Sequence, residues 1–100
     1  MKLKSSERKA LRSLAHPLKP VVQVGKSGVS DSLIKMIRQA LESHELIKVR
    51  FIEHKEQKKT LATEIAEKAK CEEVGMIGHV AIFFKPHPDQ EKRKILLEKD

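Results

Sequence analysis

The chain has 100 residues, of which 39% are apolar and 35% are charged, and it contains one cysteine. This length suits a single domain with a small core. One cysteine excludes an internal disulfide and a cysteine-rich metal site, so a reducing compartment and a cytoplasmic location are expected. No stretch has the length and apolar character of a signal peptide or a membrane span.

The formal net charge of +7 is unevenly distributed. Residues 1–26 carry seven basic side chains and one acidic one, whereas residues 27–100 carry fourteen basic and thirteen acidic ones. Solubility alone could explain a surplus of this size. Its concentration in the N-terminal quarter favours a face that binds a polyanion.

The first predicted element is an amphipathic helix over residues 5–16. Its basic arc consists of Arg8, Lys9, Arg12 and His16, and its apolar arc consists of Leu3, Ala10, Leu11, Leu14 and Leu18. Proline at position 17 disfavours helix at the residue before it and leads into a stiff connector. The arcs predict that one side of this helix is buried and that the other side is either solvated or bound to a partner.

A short strand over residues 21–24 is predicted next, followed by a Gly-Lys-Ser-Gly turn (residues 25–28, the GKSG loop) and a helix over residues 31–43. Gly25 and Gly28 allow positive φ and a close approach of another molecule to the backbone. Ser30 is a good N-cap for the helix, and Asp31 suits its electropositive start. The GKSG loop therefore stands where an anion would bind favourably.

The remaining pattern predicts a strand over residues 46–52, a third helix over residues 58–71 and a hairpin over residues 74–85. The strand alternates, so Lys48 and Arg50 are expected on a partly open face of the sheet. Gly75 suggests a bulge in the hairpin, whose turn lies at residues 78–79. Cys71 is interpreted as a small packing residue. Residues 95–97 are expected to dock the charged tail locally, with fraying at its end.

This order, α-β-α-β-α-β-β, predicts the α/β class and a single compact domain, with helices packed on a four-stranded mixed sheet. The domain is expected to cover residues 1–88, and residues 89–100 are expected to form the tail. A nucleotide-binding P-loop is excluded, because it requires a glycine where Pro20 stands. The five histidines show no metal-ligand spacing, and no acid–base constellation is recognisable.

A G-x-x-G loop that contains a lysine and follows a strand favours a clamp on the sugar-phosphate backbone of RNA. The chain has no tryptophan and no tyrosine. Base stacking on aromatic side chains is therefore not expected to be the main binding mode.

Three segments in this order, LKPVVQVGKSG (18–28), HELIKVR (44–50) and MIG (76–78), resemble the CRM domain (chloroplast RNA splicing and ribosome maturation) in its bacterial stand-alone form, the YhbY-like proteins. The resemblance covers residues 3–85. It implies an RNA-binding domain similar in fold to the C-terminal domain of translation initiation factor three, associated with precursors of the large ribosomal subunit. Lys70 stands where the family usually has glycine, Gly75 stands where it has a polar residue, and residues 84–85 are Phe-Lys where it has Tyr-Arg.

The sequence thus predicts a monomeric, non-enzymatic RNA-binding protein without cofactor, metal, membrane or small-molecule substrate. The resemblance implies that its target is ribosomal RNA and that it assists ribosome assembly. Two alternatives remain: a translation-factor-like module on the small ribosomal subunit, and a small enzyme that uses the GKSG loop for a phosphorylated metabolite. The predicted RNA-binding residues are Gly25, Lys26, Ser27, Gly28, Lys9, Arg12, Lys19, Lys48 and Arg50.

Overall fold

A computed structural model describes residues 2–95 and residue 97. The helices and strands follow the predicted order. They are α1 (Ser5–Ala15), β1 (Val22–Val24), α2 (Asp31–His44), β2 (Leu46–Phe51), α3 (Lys58–Ala69), β3 (Glu72–Ile77) and β4 (Val80–Phe84). Single 3-10 turns cover Lys55–Gln57 and Gln90–Lys92. Within the described part of the chain, no helix is both long and apolar enough to cross a bilayer.

The four strands form one mixed sheet in the order β1-β2-β4-β3. β1 and β2 are parallel, because α2 carries the chain back to the same end of the sheet. β4 pairs antiparallel with both β2 and β3. The register between β3 and β4 shifts between Glu73 and Gly75, which confirms the predicted bulge. The mixed sheet and the hairpin are also confirmed.

The main core lies between the sheet and helices α2 and α3. It contains the buried apolar residues of α2 and β2, together with the small residues of α3: Leu33, Ile34, Ile37, Leu41, Ile47, Val49, Phe51, Ala62 and Ala69. Cys71 packs at the margin of this core, half-buried, as the sequence predicts. The helix α3 ends at Ala69, two residues earlier than predicted, because Lys70 adopts a φ of +54° and ends the helix there.

The opposite face of the sheet is partly covered by α1. Leu3 and Leu11 are buried against Leu46, Ile82 and neighbouring residues of this face, as predicted. The expected apolar arc was wrong at three of its members: Leu14 is 49% exposed, Leu18 is 40% exposed and Ala10 is exposed, whereas Ala15 is fully buried. The helix is therefore rotated toward Ala15, whose small side chain lets the helix end approach the sheet closely.

A buried carboxylate holds the segment that follows β4. Glu45, only 2% exposed and at a φ of +62°, joins α2 to β2. It accepts hydrogen bonds from the backbone N–H groups of His87 (2.7 Å), Lys94 (2.5 Å) and Ile95 (3.0 Å). Burial by itself raises the pKa of Glu45, but these three donors outweigh it and leave the pKa lowered. Ile95 and Leu97 consequently pack on the core beneath α1; Leu96 lies outside the described residues.

Candidate nucleic-acid interface

The GKSG loop is a tight turn that delivers the chain into a capped helix. The N–H of Gly28 donates to the carbonyl of Gly25 at 3.0 Å and closes the turn. The hydroxyl of Ser30 then accepts from the N–H of Leu33 at 3.1 Å, which confirms the predicted N-cap. The helix α2 therefore starts three residues after the turn, and its electropositive end lies directly behind the loop.

The two glycines of the loop have different roles. Gly28 adopts a φ of +66°, a conformation that side chains rarely tolerate. Gly25 does not use the positive φ that glycine allows, since among the glycines of the described residues a positive φ occurs at Gly28 and Gly78. A Cβ added at Gly25 would meet nothing within 4 Å. The backbone conformation thus favours glycine at position 28, while position 25 faces open space.

Lys26 and Ser27 at the tip of the loop are exposed. The side chain of His54 contacts the backbone of the loop. The Nε2 atom of His54 lies 3.0 Å from the carbonyl oxygen of Lys26. It also lies 3.6 Å from the position that a Cβ on Gly28 would take. Sequence reasoning missed this contact, because His54 shows no motif and its own φ of +58° arises only in the fold.

The hairpin turn and the start of α3 bring further cations to the end of the sheet where the GKSG loop lies. The Nζ of Lys58 donates to the carbonyl of Gly78 at 2.6 Å and lies 3.2 Å from Nδ1 of His79. Desolvation, reinforced by Lys58 and Lys55, lowers the pKa of His79. The carbonyl of His79 accepts from the N–H of Phe51 at 2.8 Å, which fixes the turn beside β2. These residues were also missed, since nothing in the local sequence relates them to the loop.

The cations of α1 lie over β3, the edge strand on the opposite side of the sheet from β1. Arg8 donates to the carbonyl of Glu73. The Cδ of Arg12 lies 3.2 Å from the position of a Cβ at Gly75, so the glycine makes room for the arginine stem. Arg12 and Lys9 are exposed, as a role in binding requires.

Lys48 and Arg50 lie on the α1 side of the sheet but differ in their surroundings. The Nζ of Lys48 donates to the carbonyls of His16 and Leu18, each at 3.1 Å, and ties the end of α1 to β2. Arg50 is exposed and pairs in register with Gln23, two residues before Gly25. The structure brings Arg50 to the GKSG loop and gives Lys48 a structural contact.

Lys19 is a predicted residue that the fold places away from the GKSG loop. It precedes β1 and so lies at the opposite end of that strand from the GKSG loop. There it lines a groove of about 470 Å³ together with Leu18, His44 and Ile95.

Catalytic groupings are not apparent among the described residues. Among these residues no group of three His, Cys, Asp or Glu side chains is placed to hold a metal ion. Burial raises the pKa of Cys71 to about 12, so its thiol stays protonated at neutral pH. Cys71 is therefore a packing residue, as predicted.

The chain is similar to several known proteins over nearly its whole length. The family model described as the CRS1 / YhbY (CRM) domain matches residues 3–85. "Probable RNA-binding protein YqeI" of Bacillus subtilis (strain 168) is 36% identical over 91 residues, which cover 90% of this chain and 95% of that protein. A protein named "RNA-binding protein" from Haemophilus influenzae is 34% identical over 96 residues, which cover 95% and 94%.

A solved structure has the same fold. The solution structure of protein SAV1595 from Staphylococcus aureus superposes with a TM-score of 0.79 and is 32% identical in sequence. The match covers 95% of this chain and all of the other. The fold and the domain type are therefore those that the three sequence segments suggested.

Proposed function

We propose that this protein, which belongs to the CRS1 / YhbY (CRM) domain family, binds RNA through its phosphate backbone and acts without catalysis. The observation that carries the proposal is the GKSG loop: an exposed lysine and serine on a tight turn, with open space at Gly25 and a capped helix start behind them. Backbone amides, the helix dipole and a lysine charge all favour a phosphate at this place.

The exposed cations around the loop extend this site. Arg50 lies next to Gln23 on the sheet, Arg12 lies against Gly75 of β3, two strands from Arg50, and Lys55 follows His54 at the same end of the sheet as the loop. Together with Lys26 and Lys9 they give five exposed basic side chains. At roughly 0.7 released counterions per single-strand contact, five contacts predict a logarithmic salt slope of about −3.5.

The salt slope and one loop variant test this function. Lys26→Ala should weaken RNA binding and flatten the slope by about 0.7, because one phosphate contact is lost. Lys35→Ala is the matched control, since Lys35 is an exposed lysine of α2 that lines a separate groove with Asp31 and Arg38. Both variants should melt like the wild type. Equal affinities for the wild type and Lys26→Ala would show that the loop is not the site.

We further infer that the natural target is ribosomal RNA in precursors of the large ribosomal subunit, and that the protein assists their assembly as a cytoplasmic monomer. The family resemblance supports this target. Sedimentation of tagged protein from a lysate tests it: the protein should migrate with large-subunit precursors, and a smaller share of the Lys26→Ala variant should do so. Migration with mature small subunits would favour the translation-factor-like alternative instead.

A further inference from the structure

Four residues form a row across the sheet at the end that carries the GKSG loop. Gln23 pairs with Arg50, Arg50 with Val80, and Val80 with Ile77. Each alternates along its strand with a residue of the main core, so all four lie on the α1 side of the sheet. We call Gln23, Arg50, Val80 and Ile77 the open row.

Helix α1 packs over the row of sheet residues next to the open row and does not cover the open row itself. The preceding row on the same face consists of Lys48, Ile82 and Gly75. Helix α1 contacts one end of that row through the stem of Arg12 at Gly75, and the segment directly after α1 contacts the other end through the carbonyls of His16 and Leu18, which accept from Lys48. The next row is left uncovered: Ile77 is 58% exposed, and Gln23 and Arg50 are exposed.

We propose that the open row binds the unpaired bases of the RNA strand whose phosphates lie on the GKSG loop; this inference rests on the proposed function. Gln23 precedes Gly25 by two strand residues, which is about 7 Å. Ile77 and Val80 offer an apolar surface to a base face, and Arg50 and Gln23 offer polar groups to base edges. The row contains no acidic residue, and Arg12 borders it.

The size of the open row favours bases over a protein partner. Three strand spacings of about 4.8 Å give a length of about 14 Å, and the row is one side chain wide. A stable protein interface buries about 800 Å² on each partner, whereas a row of this size can cover only a few bases. A duplex hides its base faces within the helical stack, so the row should prefer an unpaired strand.

Three RNA probes of one length separate contacts to bases from contacts to the phosphate backbone. They are a 12-nucleotide single strand, the same strand annealed to its complement, and the same backbone with abasic positions. The wild type should bind the first more tightly than the other two. Ile77→Ser should weaken binding to the single strand by about fivefold, because roughly 40 Å² of apolar contact is lost. It should leave binding to the duplex and to the abasic strand unchanged.

Met36→Ser is the matched control, because Met36 is a 50% exposed apolar residue of α2, on the other side of the sheet. It should bind all three probes like the wild type. If Lys26→Ala weakens binding while Ile77→Ser does not, the open row is not a base site and the proposed function stands. If the wild type binds none of the probes, the proposed function itself fails. If Ile77→Ser keeps its RNA affinity but loses a copurifying protein, the row belongs to a protein partner.

Discussion

Replacing each glycine of the GKSG loop by alanine should separate the demands of folding from those of binding. Gly28→Ala places a Cβ at a φ of +66°, which costs about 1–2 kcal/mol. The new Cβ would stand 3.6 Å from Nε2 of His54, an ordinary contact, so the backbone conformation accounts for the whole cost. For a domain of this size the melting temperature should fall by about 5–10 °C.

Gly25→Ala should leave stability within about 0.5 kcal/mol of the wild type, because the added Cβ meets nothing within 4 Å and no left-handed φ is required. It should nevertheless weaken RNA binding by about tenfold, or roughly 1.4 kcal/mol, if the RNA backbone passes over this position. The free space at Gly25 would then be occupied by the bound strand.

Thermal melts followed by far-UV circular dichroism measure stability, since the chain has no tryptophan or tyrosine to report by fluorescence. Fluorescence anisotropy with a labelled RNA measures affinity. The reasoning is refuted if Gly25→Ala binds RNA as tightly as the wild type. It is also refuted if Gly28→Ala melts at the wild-type temperature, because the positive φ would then carry no cost.

Three further variants or measurements test other parts of the structure. Lys70→Gly should stabilise the protein by about 0.5–1 kcal/mol in chemical denaturation, because the residue that ends α3 has a φ of +54°; no gain would contradict this. Glu45→Gln should cost about 2 kcal/mol at pH 7, since an amide cannot accept from all three backbone donors. The pKa of Glu45 is lowered from its ordinary 4.5, so wild-type stability from this group is present above that pH and lost as the pH falls through the lowered value. Denaturation curves of Glu45→Gln should lack this pH dependence. Cys71, with its pKa raised to about 12, should react with iodoacetamide at pH 8 about a hundredfold more slowly than a free cysteine peptide; comparable rates would disprove its burial.

Local pattern determined most of the architecture. The alternation of β2, the N-cap at Ser30 and the turn at residues 78–79 each depend on neighbours within a few residues, and all appear as predicted. The GKSG loop is also a local feature, because the hydrogen bond that closes its turn joins two residues only three positions apart. Interactions between residues a few positions apart depend only on the local sequence, so the sequence is enough to identify them.

Long-range contacts decided the rest. The partner of His54 lies 28 residues away at Lys26, that of Lys48 lies 32 away at His16, and that of Glu45 lies 50 away at Ile95. Likewise, an amphipathic pattern restricts the buried side of α1 to a broad arc, and only packing against the sheet selected Ala15 over Leu14. These choices depend on which distant surfaces meet once the chain has folded, and periodicity along the sequence carries no information about that.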